Sequence, residues 1–155
     1  MKKAFVLAAG SVALLFSCAS AFAIESEYKA ASTHPVDAVW TKVGDFCGIG
    51  TWHPAVAKCE LSHGNKIRTL TLKGGGTIVE RLVKWDKAHH SYTYRIVSSP
   101  LPVKNYISTI KVVADGSGSD IVWTGKYKAV KGTSDADAKK TIDGIYKAGA
   151  DALAQ

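Results

Sequence analysis

Three cysteines, four prolines and no basic run set the first limits on this 155-residue chain. Cys18, Cys47 and Cys59 contain no Cys-x-x-Cys pair, so the pattern of thiol oxidoreductases is missing. The glycine triplet Gly74–Gly76 is followed by no Gly-Lys-Ser/Thr, which excludes a phosphate loop, and no Gly-x-Ser-x-Gly elbow occurs. His89 and His90 are adjacent, so in extended chain they point to opposite faces, and no cysteine or carboxylate cluster has ligand spacing. Neither a metal nor a cofactor is expected. The lysines are scattered, which argues against nucleic acid as a partner. There is no internal repeat and no low-complexity linker.

The one pronounced apolar run lies at the start. Lys2 and Lys3 precede Ala4 to Phe16, and Ala21-Phe22-Ala23 suits signal-peptidase cleavage. The run is short for a membrane span, which needs about 20 residues. Leu15-Phe16-Ser17-Cys18 is a loose lipoprotein box with a bulky Phe16 in it, so lipidation ranks below soluble export. The expectation is a signal peptide over residues 1–23, a bacterial periplasmic or secreted location, and one mature domain over 24–155 with no transmembrane segment. Removing the two lysines lowers the formal charge from +7 to +5, which suits docking to an acidic partner or anionic lipid. Cys47 and Cys59 remain in that domain. They are either a disulfide, suited to an oxidising compartment, or two buried thiols.

Hydrophobic periodicity orders the domain. Glu27 to Ser32 reads as an opening strand. Thr33 or His34 is expected to cap the next helix, with Pro35 in its first turn and Val36, Val39, Trp40 and Val43 on one stripe. Gly44, Gly48 and Gly50 break that helix into a corner ending in Trp52-His53-Pro54. Trp52 is expected to pack as framework, while His53 stays open between packing and a pocket mouth. From Ala57 to Tyr127 the alternation is that of strands. Lys66 to Lys73 places Leu70 and Leu72 on one face, and Thr77 to Asp86 and Ser91 to Val97 follow. Tyr106 to Val113 and Asp120 to Tyr127 flank a Gly116–Ser119 turn. A final helix, capped by Thr133 or Ser134, carries an inner stripe of Ile142, Ile145, Tyr146, Gly149 and Leu153. Gly144 and Gly149 are costly inside a helix, so they either make room beneath it or serve close packing. The fold class is α+β, a bent antiparallel sheet of seven strands around a long C-terminal helix with a short helical corner.

Glu80-Arg81-Leu82, Asp86, Tyr94-Arg95-Ile96 and Asn105-Tyr106-Ile107-Ser108 stand in an order and spacing that resembles the START/Bet v1-like superfamily, the helix-grip fold. The chain looks closest to its polyketide cyclase/dehydrase branch and to the plant abscisic-acid receptors. The resemblance implies a cavity lined by Glu80, Tyr94, Ile96, Val103, Tyr106 and Ser108 from the sheet. Thr141, Ile145 and Gly149 would face it from the helix. Parity agrees in part, since Glu80 shares a face with Ile78 and Leu82, and Tyr106 with Ser108 and Ile110. Gly74–Gly76 would sit at the receptor gate and Pro100 to Val103 at the latch, but neither loop has the receptor sequence. The receptors' cavity lysine would align near Ala57, and Trp123 stands where a second cavity acid would be, so the hormone is not an expected ligand.

For Glu80 three roles are open: orienting a ligand or water, which ranks first, acid–base chemistry, and an internal pair with a cationic side chain. The resemblance implies a periplasmic protein that holds a small, mostly apolar, lipid- or polyketide-like ligand. A second expectation is an MxaD-type accessory of methanol oxidation, whose partner would be an acidic periplasmic dehydrogenase or cytochrome. A third is a cyclase or dehydratase with Glu80 as base and Tyr106 donating to a developing enolate. Export disfavours the third, because polyketide intermediates stay on cytoplasmic carrier proteins.

Overall fold

A computed structural model describes residues 22–155; the proposed signal segment, with Cys18, lies almost wholly outside the described residues. The chain runs β1 (Ile24–Ser32), α1 (Val36–Val43), α2 (Ile49–Trp52), β2 (Val56–Ser62), β3 (Ile67–Leu72), β4 (Thr77–Asp86), β5 (Ser91–Ser98), β6 (Val103–Asp115), β7 (Gly118–Ala129) and α3 (Asp135–Ala154). All seven strands form one antiparallel sheet in the order β1-β7-β6-β5-β4-β3-β2. Consecutive hairpins build β2 to β7. Only β1 crosses over, through the α1–α2 corner, to pair along β7 from Ile24↔Tyr127 to Ser32↔Ser119. The sheet grips α3, whose Ala138, Ile142, Tyr146, Gly149, Ala150 and Leu153 are buried against it.

Ser134 caps α3, its Oγ accepting from the Asp137 N–H at 3.0 Å, and Asp135 and Asp137 occupy the first turn, where the helix dipole favours anions. The expected cap of α1 is not used. Pro35 itself is the N-cap, in extended backbone, and its carbonyl accepts from Ala38 and Val39. The His34 N–H donates to Ser32 Oγ at 3.2 Å, and its ring Nε2 lies 3.1 Å from the Gln155 carbonyl instead of at the start of α1.

β6 begins three residues earlier than the alternation predicts. Asn105 adopts a left-handed backbone, φ 54°, at a register shift between Lys104 and Ile107. This bulge makes Val103 and Tyr106 both buried though three residues apart, which breaks the period-2 signal. The β6–β7 turn is also tighter than expected, Gly116 and Ser117 alone, with Gly118 and Ser119 already in β7. Cys47 and Cys59 are joined by a disulfide, Cα atoms 5.5 Å apart, which ties the helical corner to β2.

Candidate functional site

Between α3, the turn after α2 and the inner faces of β3 to β5 lies a chamber of about 290 Å³. Its wall is almost entirely apolar, from Ile49, Val56, Leu70, Leu72, Ile78, Ile96, Leu101, Ile142 and Ile145. The polar groups that reach it belong to His53, Glu80, Tyr94, Tyr106, Trp123 and Thr141. Two larger grooves, about 640 and 630 Å³, are open to solvent; one carries Arg81, Arg95 and Lys104, the other Glu25, Lys126 and Lys139. Among the described residues no group of three His, Cys, Asp or Glu side chains is placed to hold a metal.

Six of the eight residues expected at a ligand line this chamber: Glu80, Tyr94, Ile96, Tyr106, Thr141 and Ile145. Val103 and Ser108 do not. Val103 is buried in the core with Tyr106 but lies outside the chamber wall, to which Leu101 contributes instead. Ser108 points inward but is covered. Its register partner is Gly125, where any Cβ would collide with the Tyr146 hydroxyl. That missing side chain lets Tyr146 descend onto Ser108, with Trp123 stacked on the Tyr146 ring at 4.8 Å.

Glu80 makes the internal pair with a cation that was one of its three open roles, through one of its two carboxylate oxygens. Arg68, its register partner on β3, places Nε 2.5 Å from Oε2, and both side chains are buried. Nη1 of Arg68 donates to the Phe46 carbonyl at 2.6 Å, and the guanidinium carbon lies 4.2 Å from the Phe46 ring centroid and 4.8 Å from that of Tyr94. Nη2 has no partner. Burial opposes charge on Arg68, but Glu80, Tyr92 and Tyr94 more than offset it and keep the guanidinium protonated. Burial pushes the Glu80 carboxyl above its ordinary range, and Arg68 offsets part of that rise. Arg68 had a signal in the sequence: it lies two residues before Leu70 and four before Leu72, on the same face.

The remaining polar groups form a network. Trp123 Nε1 donates to Tyr94 Oη at 3.1 Å and Ser108 Oγ at 3.0 Å, and Tyr106 and Tyr146 hydroxyls are 2.7 Å apart. Desolvation holds the Tyr94 and Tyr106 phenols well above their usual value, so they are neutral. His53 joins the wall from the α2 turn. Its Nδ1 accepts from the Ala55 N–H at 3.2 Å, which leaves the proton on Nε2 to donate to the Ile145 carbonyl at 3.1 Å. Burial pushes the imidazole below its usual value, against the opposing effect of the Ile145 bond. Trp52 packs against Trp123 as framework, ring centroids 5.8 Å apart.

The sequence model of one family, described as polyketide cyclase / dehydrase and lipid transport, matches residues 23–155. The chain belongs to this family. Its fold is the helix grip. A protein called XoxI from Bacillus cereus is 33% identical with a TM-score of 0.82, over 84% of this chain and 93% of that one. An uncharacterised protein from Bacillus thuringiensis is 32% identical with a TM-score of 0.80, over 84% and 96%. The Zhui aromatase/cyclase of a Streptomyces strain shares the fold at 18% identity, TM-score 0.68, over 83% of this chain and 90% of that one. No curated protein sequence matches. Family and fold together support a ligand-binding or cyclase function.

Proposed function

We propose that this chain is an exported binding protein that holds a small, mostly apolar ligand in the chamber beneath α3. The observation that carries this reading is the chamber itself: about 290 Å³ of space walled by aliphatic and aromatic side chains, with one carboxylate reaching it. That volume is at the small end of ligand pockets, which begin at about 300 Å³. The family description, which includes lipid transport, agrees with it. The Cys47–Cys59 disulfide suits an oxidising compartment, in keeping with an N-terminal export signal. No helix among the described residues is long and apolar enough to cross a membrane.

Native mass spectrometry of the purified protein, with solvent extraction of what it carries, tests the reading. A bound apolar molecule, lost in an Ile145→Trp variant that fills the chamber, is the expected result. An empty protein whose melting temperature no apolar compound raises would overturn it.

A cyclase or dehydratase is the second reading, because Glu80 brings a carboxylate to the same apolar wall. Tyr106 is a poor donor to an enolate in this arrangement, since its hydroxyl is already bonded to Tyr146. An activity that survives Glu80→Gln would exclude Glu80 as its base.

A further inference from the structure

Each polar group of the chamber wall can be assigned by what it is already bonded to. Thr141 Oγ1 donates to the Asp137 carbonyl at 2.9 Å. Both His53 nitrogens are engaged, as is Trp123 Nε1. The hydroxyl protons run in one direction. Ser108 gives its proton to the Thr124 carbonyl at 2.7 Å, and Tyr146 gives its own to Ser108 at 3.0 Å. Tyr106, 2.7 Å from Tyr146, must therefore donate to Tyr146, and Tyr94, 3.4 Å from Tyr106, donates to Tyr106. Glu80 is the charged group with capacity left, while the Thr141 and Tyr94 hydroxyls keep only weaker acceptor lone pairs. Oε2 is taken by Arg68, and among the described residues Oε1 has no hydrogen-bond partner.

The free hydrogen-bonding sites of the wall are thus acceptors, the strongest of them Glu80 Oε1. We infer that the chamber selects an uncharged apolar ligand bearing a hydroxyl or N–H group, which donates to Glu80 Oε1, and that it discriminates against carboxylates. A carboxylate would be desolvated beside Glu80, which the Arg68 guanidinium in contact with Oε2 favours as the anion, with no donor to receive it. Arg68 does not relieve this, because it is fully buried between the Phe46 and Tyr94 rings and does not line the chamber. A hydrocarbon of the same shape would fill the space but leave Oε1 unpaired. Ligand class follows from which hydrogen bonds the protein has already made with itself.

The inference rests on the binding reading above, and a matched series separates the two. Calorimetric titration at pH 8 with biphenyl, 4-phenylphenol and biphenyl-4-carboxylate should rank the phenol tightest, by roughly 10-fold or more over either of the others. In an Arg68→Met, Glu80→Leu double variant, which removes the acceptor without leaving a lone buried charge, the phenol should lose its advantage over biphenyl. Equal binding of phenol and biphenyl by the unaltered protein would overturn the inference and leave the binding reading intact. Tightest binding of the carboxylate would do the same, and would point to Tyr94 as a donor. If none of the three binds, both fall. The series on the unaltered protein decides even if the double variant does not fold.

Discussion

Gly149 of α3 lies so close to the His53 ring that a Cβ at that position would come within 2.6 Å of His53 Cδ2 and of Trp123 Cζ3. The helix therefore seats directly on the side chains that form one end of the chamber. Gly144, five residues earlier, is exposed and meets nothing within 4 Å. The two helix glycines should respond oppositely to alanine. Gly144→Ala should stabilise by up to about 1 kcal/mol through helix propensity. Gly149→Ala should destabilise by about 1–3 kcal/mol, because overpacking outweighs the same propensity gain. Urea denaturation of both variants checks this, and equal responses would mean that α3 does not sit on His53.

The Arg68–Glu80 pair should behave as a unit. Removing one partner leaves a buried charge without compensation, so Arg68→Met should cost about 3–5 kcal/mol. The Arg68→Met, Glu80→Leu double variant should recover much of that loss, since a buried ion pair is often replaceable by apolar side chains. A double-mutant cycle by denaturant unfolding measures the coupling. Additive losses would show that the two side chains do not meet.

The disulfide closes a loop whose ends are 12 residues apart in sequence. In the chain-entropy model such a loop stabilises by about 3 kcal/mol. Reduction, or a Cys47→Ser, Cys59→Ser double substitution, should lower the melting temperature accordingly. Free thiols in the oxidised, denatured protein, measured by alkylation and mass spectrometry, would contradict the bridge.

His53 sets a pH dependence of definite sign. Its folded-state value is pushed down by burial, so the stability gained by keeping it neutral is present above its unfolded value of about 6.5 and is lost as pH falls below that. Glu80 acts oppositely: burial raises its carboxyl, so its contribution is present at low pH and is lost as pH rises through its folded value. The difference in melting temperature between the unaltered protein and His53→Gln isolates the first effect. That difference should shrink between pH 7 and pH 5; a constant difference would show that His53 does not titrate with unfolding.

Element order, the seven strands and the two helical regions were legible because each has a local signature. Period-2 alternation marks Ser91 to Val97, a 3.6-residue stripe marks α3, and Ser134 with Asp137 marks its start. Six of the eight expected cavity residues could be found from family resemblance and parity, since side chains two apart on a strand share a face. The failures were not local. Val103 was expected at the cavity from resemblance alone; it is buried beside Tyr106 through a bulge at Asn105 that no local periodicity marks, yet it stands outside the chamber wall. Ser108 has the correct parity, but a glycine on β7 and a tyrosine on α3 together cover it.

The sequence by itself determined the α+β class, the order of elements and the residues that share a face within β3 to β6, because backbone periodicity is written in neighbouring residues. Only the tertiary structure decided that Glu80 meets Arg68, that Tyr146 closes over Ser108, and that the hydroxyl protons run toward Thr124. Those facts depend on strand register and on helix seating, which join residues 12 to 40 positions apart. They govern the chemistry of the chamber because a buried polar group is defined by the partner it has, or lacks.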